Sequence, residues 1–112
     1  MQNKLILVVE DESAIREMVR FALTRAEFRV AEAGDAQEAR LRMADERPDL
    51  ILMDWMMPGI SGVELTRELK SSASTRDIPV IMVTALDERG DGVLDDVDAD
   101  HVRRRAADHV VL

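Results

Sequence analysis

The chain has 112 residues, of which 46% are hydrophobic, and a net charge of −8, which suits one globular domain over residues 1–112. It has no cysteine, so disulfides and thiolate zinc sites are excluded. No apolar run approaches the ~20 residues of a membrane span, and the amino terminus shows no signal-peptide pattern. Because acidity also disfavours nucleic-acid binding, we expect a cytoplasmic protein that contacts neither membrane nor nucleic acid directly.

The first segment predicts a buried strand followed by a helix. Lys4–Val9 is a short, continuous apolar run, typical of a strand that is covered on both faces. Ser13 is placed to cap the next helix. Apolar residues recur there at helical spacing, at Ile15, Met18, Val19, Ala22 and Leu23.

The middle of the chain repeats this alternation. Phe28–Ala33 alternates like a strand, and Ala36–Arg47 is rich in good helix formers. Pro48 ends that helix. Leu50–Met53 is a second continuous apolar run, and it leads directly into Asp54. These segments therefore predict a strand, a helix and another buried strand.

A third unit of the same kind follows. Pro58, Gly59 and Gly62 indicate a loop. Val63–Lys70 is typical of a helix, with Val63, Thr66 and Leu69 expected on its inner side. Val80–Val83 is the third continuous apolar run, and it ends at Thr84.

Strands that alternate with helices predict an α/β fold with a doubly wound parallel sheet and right-handed crossovers. Five strands suit the flavodoxin-like order 2-1-3-4-5. In such a sheet, ligands bind beyond the carboxyl ends of the strands, where the first and third strands lie side by side. Asp11 and Asp54 are therefore expected to face each other there.

Clustered carboxylates repel one another, so a cation is the expected partner of this edge. Oxygen donors without cysteine or a nearby histidine favour a hard ion, Mg²⁺ or Mn²⁺. Taken alone, Glu10 or Asp11 could equally be a helix-capping residue. The coincidence of polar strand ends at Glu10-Asp11, Asp54 and Thr84 favours the metal site.

Three motifs follow one another along the chain, Leu7–Glu12, Leu52–Gly62 and Ile78–Ala85. In one collinear register from residue 4 to about 86, they closely resemble the receiver domains of two-component response regulators. The residues around Trp55 and Thr75–Pro79 are most similar to those of receivers joined to winged-helix DNA-binding domains.

The resemblance implies a CheY-like fold and a role for each matching position. Asp54 matches the phosphoacceptor, and Thr84 matches the switch hydroxyl that binds the new phosphoryl group. Asp11 matches a direct ligand of Mg²⁺ or Mn²⁺, and Glu10 matches one that acts through water. Met56 matches the position at which the family supplies a backbone carbonyl to the metal.

The resemblance also implies the partners. A sensor histidine kinase or phosphotransfer protein would supply the phosphoryl group, and phosphorylation would switch an output. Homodimers and a C-terminal DNA-binding output domain both occur in the family. The chain would not be an enzyme beyond its own phosphorylation and slow dephosphorylation.

Residues 86–112 depart from the family pattern and are interpreted as atypical or truncated. The family's lysine after the fifth strand has no counterpart, since the last lysine is Lys70. Either Ala107–Leu112 is the fifth strand, or Ala99–Arg103 is. The first is favoured because His109–Leu112 is the more strand-like run, and in both cases the final helix is missing.

Three other functions compete. The missing lysine favours a pseudo-receiver, a protein-binding module that acts without phosphorylation, whereas the intact acids argue against it. A phosphatase with an aspartyl intermediate needs a general acid two residues after its nucleophile, and Met56 stands there. A flavin-binding module is disfavoured because Glu10-Asp11-Glu12 would repel a phosphate.

Overall fold

A computed structural model describes residues 4–54, 57 and 59–83. These residues form three β-α units and a fourth strand. The elements in chain order are β1 (Leu5–Val9), α1 (Ser13–Arg25), β2 (Arg29–Ala33), α2 (Ala36–Asp45), β3 (Leu50–Asp54), α3 (Gly62–Lys70) and β4 (Val80–Val83).

The four strands form one parallel sheet in the order β2-β1-β3-β4. This confirms the first four positions of the predicted order. The first strand lies between the second and third because the connection from β2 passes over β1 and places β3 on its other side. Val9 is registered with Ala33 on one side and with Met53 on the other, so the strands end at one common edge.

The central strands β1 and β3 are buried on both faces, which explains why they are continuous apolar runs, whereas the edge strand β2 alternates. Helices α2 and α3 pack on one face, where Leu65 and Leu69 join the side chains of Leu7, Ile51 and Met53. Helix α1 packs on the other face, where the buried cluster is Ile6, Val8, Val19, Leu23, Phe28, Leu50 and Leu52.

Several element boundaries differ from the sequence-based prediction by one or two residues. Helix α1 begins at Ser13 and its N-cap is Glu12, so Ser13 is not the cap. Helix α2 ends at Asp45 because Glu46 is already extended, two residues before the predicted end. Helix α3 begins at Gly62, since Ser61 caps it.

Two predicted inward-facing sets also need correction. In α3 the buried residues are Gly62, Leu65 and Leu69, so Leu65 replaces Val63 and Thr66 as the inner contact. Met18 in α1 is 51% exposed, because the core stripe of that helix runs through Val19 and Leu23.

Everything predicted after Val83 lies outside the described residues. This applies to both candidate fifth strands, to the missing final helix and to the atypical segment 86–112. Within residues 4–54, 57 and 59–83, no helix has the length and apolarity needed to cross a membrane.

Candidate functional site

Three acidic side chains meet at the carboxyl edge of the sheet. Glu10 and Asp11 follow the last residue of β1, and Asp54 is the last residue of β3. Because β1 and β3 are adjacent and parallel, one carboxylate oxygen from each residue can lie within 4.8 Å of the others. The predicted meeting of Asp11 and Asp54 across the switch point is thus present in the structure.

The burial of this trio is uneven, and it has an electrostatic cost. Asp54 is fully buried and Glu10 is 5% exposed, whereas Asp11 is exposed. The pKa of Glu10 is raised to about 7, chiefly because burial disfavours its charged form and also because Asp54 and Asp11 are negatively charged, while a backbone hydrogen bond from Glu12 acts in the opposite direction. Carboxylates this close and this buried favour a bound cation.

The donor set fits Mg²⁺ or Mn²⁺. All three side chains offer carboxylate oxygens, which are the ligands that these hard cations prefer. A cation between them would replace the repulsion among the carboxylates with attraction. The exposed position of Asp11 leaves the site open to water and to a phosphoryl oxygen, as Mg²⁺ sites usually require.

The turn that carries Glu10 and Asp11 is held by hydrogen bonds from three directions. The Glu10 backbone N–H donates to the Ala33 carbonyl oxygen at 3.0 Å. The Glu12 backbone N–H donates to Glu10 Oε2 at 3.0 Å. Arg16 Nη1 donates to the Glu10 carbonyl oxygen at 2.7 Å, so a helix, a strand and the turn itself all fix this peptide.

Helix α3 abuts the end of β3 on the other side of the site. Its first turn is closed by a capping box, in which Glu64 N–H donates to Ser61 Oγ at 3.2 Å and Ser61 N–H donates to Glu64 Oε1 at 3.1 Å. A Cβ atom on Gly62 would overlap the carbonyl oxygen of Asp54. The glycine therefore lets the helix reach the backbone of the candidate phosphoacceptor.

Two predicted site residues cannot be placed. Met56 and Thr84 both lie outside the described residues. The register nevertheless pairs Asp54 with Val83, the residue directly before Thr84 in the sequence. The roles expected for Met56 and Thr84 therefore stay predictions.

Sequence reasoning missed two residues beside the site. Arg16 lies outside the apolar pattern of α1, and nothing in its spacing indicates a contact with Glu10. Gly62 was assigned to a loop on composition, although its place eight residues after Asp54 in the matched motif was a signal that could have been used.

Comparison with known proteins identifies the family. The sequence model of one protein family, the response regulator receiver domain, matches residues 6–99. The chain belongs to this family. The receiver is also 51% identical over 88 residues to the phosphate regulon transcriptional regulatory protein PhoB of Pseudomonas aeruginosa. This alignment covers 79% of this chain and 38% of PhoB. The receiver thus spans little more than a third of that relative's length.

Solved structures agree with this assignment. The receiver superposes with a TM-score of 0.78 on the signal receiver domain of a histidine kinase from Syntrophus aciditrophicus, at 30% identity and over 94% of this chain and 91% of that one. It superposes with a TM-score of 0.73 on the response regulator TrrA of Thermotoga maritima, solved in complex with Mg²⁺-BeF, at 28% identity and over 96% and 99% of the two chains. The CheY-like fold is thereby confirmed.

Proposed function

We propose that this receiver accepts a phosphoryl group on Asp54 with Mg²⁺ held by Asp11, Asp54 and, through water, Glu10. The observation that carries the proposal is the meeting of these three carboxylates within 4.8 Å at the carboxyl edge of the sheet. A structurally similar response regulator, TrrA, was crystallised with Mg²⁺-BeF, which supports the same chemistry here.

The residues of this chain suit the nucleophile's task. A carboxylate oxygen of Asp54 attacks phosphorus, the new O–P bond forms as the P–N bond of a phosphohistidine breaks, and the bonding pair leaves on the imidazole nitrogen. Burial of Asp54 fixes its direction of attack, and positioning contributes much of the rate in phosphoryl transfer. When bound, Mg²⁺ neutralises the charge that gathers on the carboxylate and phosphoryl oxygens.

The partners follow from this chemistry. A histidine kinase or phosphotransfer protein supplies the phosphoryl group in the cytoplasm, and the modified receiver switches an output. The PhoB relatives, whose name describes transcriptional regulators, extend well beyond the matched region, which supports a DNA-binding output domain elsewhere in the full protein. The intact acidic trio gives no support to the alternative of a pseudo-receiver that acts without phosphorylation.

The test is intact mass spectrometry after incubation with acetyl phosphate and Mg²⁺. We expect the chain to gain one phosphoryl group, and we expect no gain when Mg²⁺ is removed by a chelator or when Asp54→Asn removes the nucleophile. Asp45→Asn is the matched control, since Asp45 is an exposed aspartate at the end of α2 and its loss should change nothing.

Failure would take a recognisable form. A chain that binds Mg²⁺, as followed by the fluorescence of its single tryptophan, Trp55, but never gains mass would exclude the phosphoacceptor function and favour the pseudo-receiver. Equal mass gain in the wild type and in Asp54→Asn would place the modification on another residue.

A further inference from the structure

Arg16 joins the metal-binding turn to the edge strand of the sheet. Its Nη1 donates to the Glu10 carbonyl oxygen at 2.7 Å, and its Nε donates to Glu32 Oε1 at 3.1 Å. The side chain is 21% exposed, so the guanidinium is largely shielded from water. One planar group thus fixes the end of β1 and the side chain of Glu32 on β2 at the same time.

Arg20 provides an internal comparison one helical turn later. Its Nε pairs with the other carboxylate oxygen of Glu32, Oε2, also at 3.1 Å. The side chain of Arg20 is 47% exposed, and this ion pair directs it to β2 rather than to the turn after β1. Both arginines therefore lie on α1, carry a positive charge and pair with Glu32. They differ because Arg16 also donates to the Glu10 carbonyl oxygen.

The hydrogen bond from Arg16 to the Glu10 carbonyl affects the placement of the acidic trio. The Glu10 carbonyl belongs to the peptide that links Glu10 to Asp11, so the guanidinium fixes the orientation of the unit from which both carboxylates extend. Repulsion among the trio acts to rotate this peptide away from Asp54. A charged donor on a carbonyl is one of the stronger protein hydrogen bonds, and Glu32 holds that donor in place.

We propose that Arg16, oriented by Glu32, is a positioning residue that holds the Glu10–Asp11 turn in the geometry that brings its carboxylates to Asp54. Arg16 itself touches neither phosphoryl group nor metal. The expected effect of Arg16 on Mg²⁺ affinity rests on the proposed function, whereas its effect on the geometry of the turn does not. These two effects can be measured separately.

The metal-free measurement is amide hydrogen exchange by NMR on Arg16→Met, with Arg20→Met as the matched control. The reporter is the Glu12 N–H, because its acceptor is the Glu10 side chain. We expect its exchange to become at least about tenfold faster in Arg16→Met, the effect of losing one charged hydrogen bond. Arg20→Met should change the exchange rate of the Glu12 N–H by less than about twofold, because Arg16 still donates to the Glu10 carbonyl in that variant.

The second measurement is Mg²⁺ affinity by titration calorimetry on the same chains. Loss of a residue that orients a ligand typically weakens metal binding by about tenfold or more, and we expect this for Arg16→Met. Arg16→Lys should recover part of the affinity because its ammonium can reach one of the two acceptors. Arg20→Met should bind like the wild type.

The outcomes separate the two ideas. Equal exchange at Glu12 in Arg16→Met and Arg20→Met would overturn the positioning role and reduce Arg16 to a surface ion pair. Faster exchange in Arg16→Met alone would support the role even if the wild type bound no Mg²⁺, a result that would instead count against the proposed function. Equal Mg²⁺ affinity in the wild type and Arg16→Met would overturn the link from turn to metal.

Discussion

Gly62 packs directly on the backbone of Asp54, and no Cβ atom fits between them. A Cβ on Gly62 would overlap the Asp54 carbonyl oxygen and approach Met53 Cγ to 3.0 Å. The obstacle is the backbone of a central strand, which cannot move aside as a flexible side chain would. The start of α3 is therefore fitted to the end of β3.

This packing predicts the effect of Gly62→Ala. We expect it to lower the free energy of unfolding by about 3 kcal/mol, at the upper end for an overpacked core, as measured by urea denaturation. Gly59→Ala is the control, because Gly59 has φ +78° but a Cβ there would meet none of the described residues within 4 Å, and its cost should be about 1 kcal/mol. Equal losses in the two variants would contradict the steric account.

The raised pKa of Glu10 predicts how stability depends on pH without metal. The folded pKa of about 7 exceeds the ordinary value of 4.5, so between these values the folded state binds more protons than the unfolded state. Stability therefore falls as pH rises from about 4.5 to 7, by up to about 3 kcal/mol. Urea denaturation at several pH values in a chelating buffer measures this slope.

Two controls isolate Glu10 in that experiment. Glu10→Gln keeps the shape of the side chain and removes the titration, so the slope over this pH window should shrink. Saturating Mg²⁺ should stabilise the wild type more at pH 8 than at pH 5, because protons compete with the cation for the same oxygens. A slope that is unchanged by Glu10→Gln would assign the pH dependence to other groups.

Neighbouring acids should differ sharply in their effect on Mg²⁺. Asp11 belongs to the carboxylate trio, whereas Glu12 is exposed and interacts with Glu10 through its backbone N–H. We expect Asp11→Asn to weaken Mg²⁺ binding by more than about tenfold and Glu12→Gln to weaken it less than about twofold, as for a screened surface charge. Titration calorimetry measures both, and similar losses would point to general charge attraction rather than ligation.

Lys70 joins the end of α3 to the segment that precedes β4. Its Nζ donates to the carbonyl oxygens of Arg76 at 3.1 Å and Ile78 at 2.7 Å, just before β4, and burial lowers its pKa. We expect Lys70→Met to cost about 2 kcal/mol in urea denaturation, as for hydrogen bonds to a charged group. Arg67→Met, at an exposed position on the same helix, should cost less than about 0.5 kcal/mol.

The strands and their order could be predicted because they depend on local pattern and on general rules of chain connection. A strand covered on both faces is apolar, so Leu5–Val9 and Leu50–Met53 are evident as runs in the sequence. Right-handed crossovers then leave few topologies, and one of them brings Asp11 to Asp54. The acidic site thus followed from strand ends and connectivity.

The side chains that support the site could not be predicted, because their contacts depend on distances between elements. The sequence by itself determined which residues form strands and helices, which acids follow the strands, and that no lysine lies between Lys70 and Leu112. Only the tertiary structure decided that Arg16 turns towards Glu10, that Leu65 rather than Thr66 faces the core, and that Gly62 meets Asp54. The physical reason is that sequence periodicity predicts which face of a helix or strand is buried to within about one residue. Hydrogen bonds and steric contacts instead depend on interatomic distances that must be right to within about an ångström.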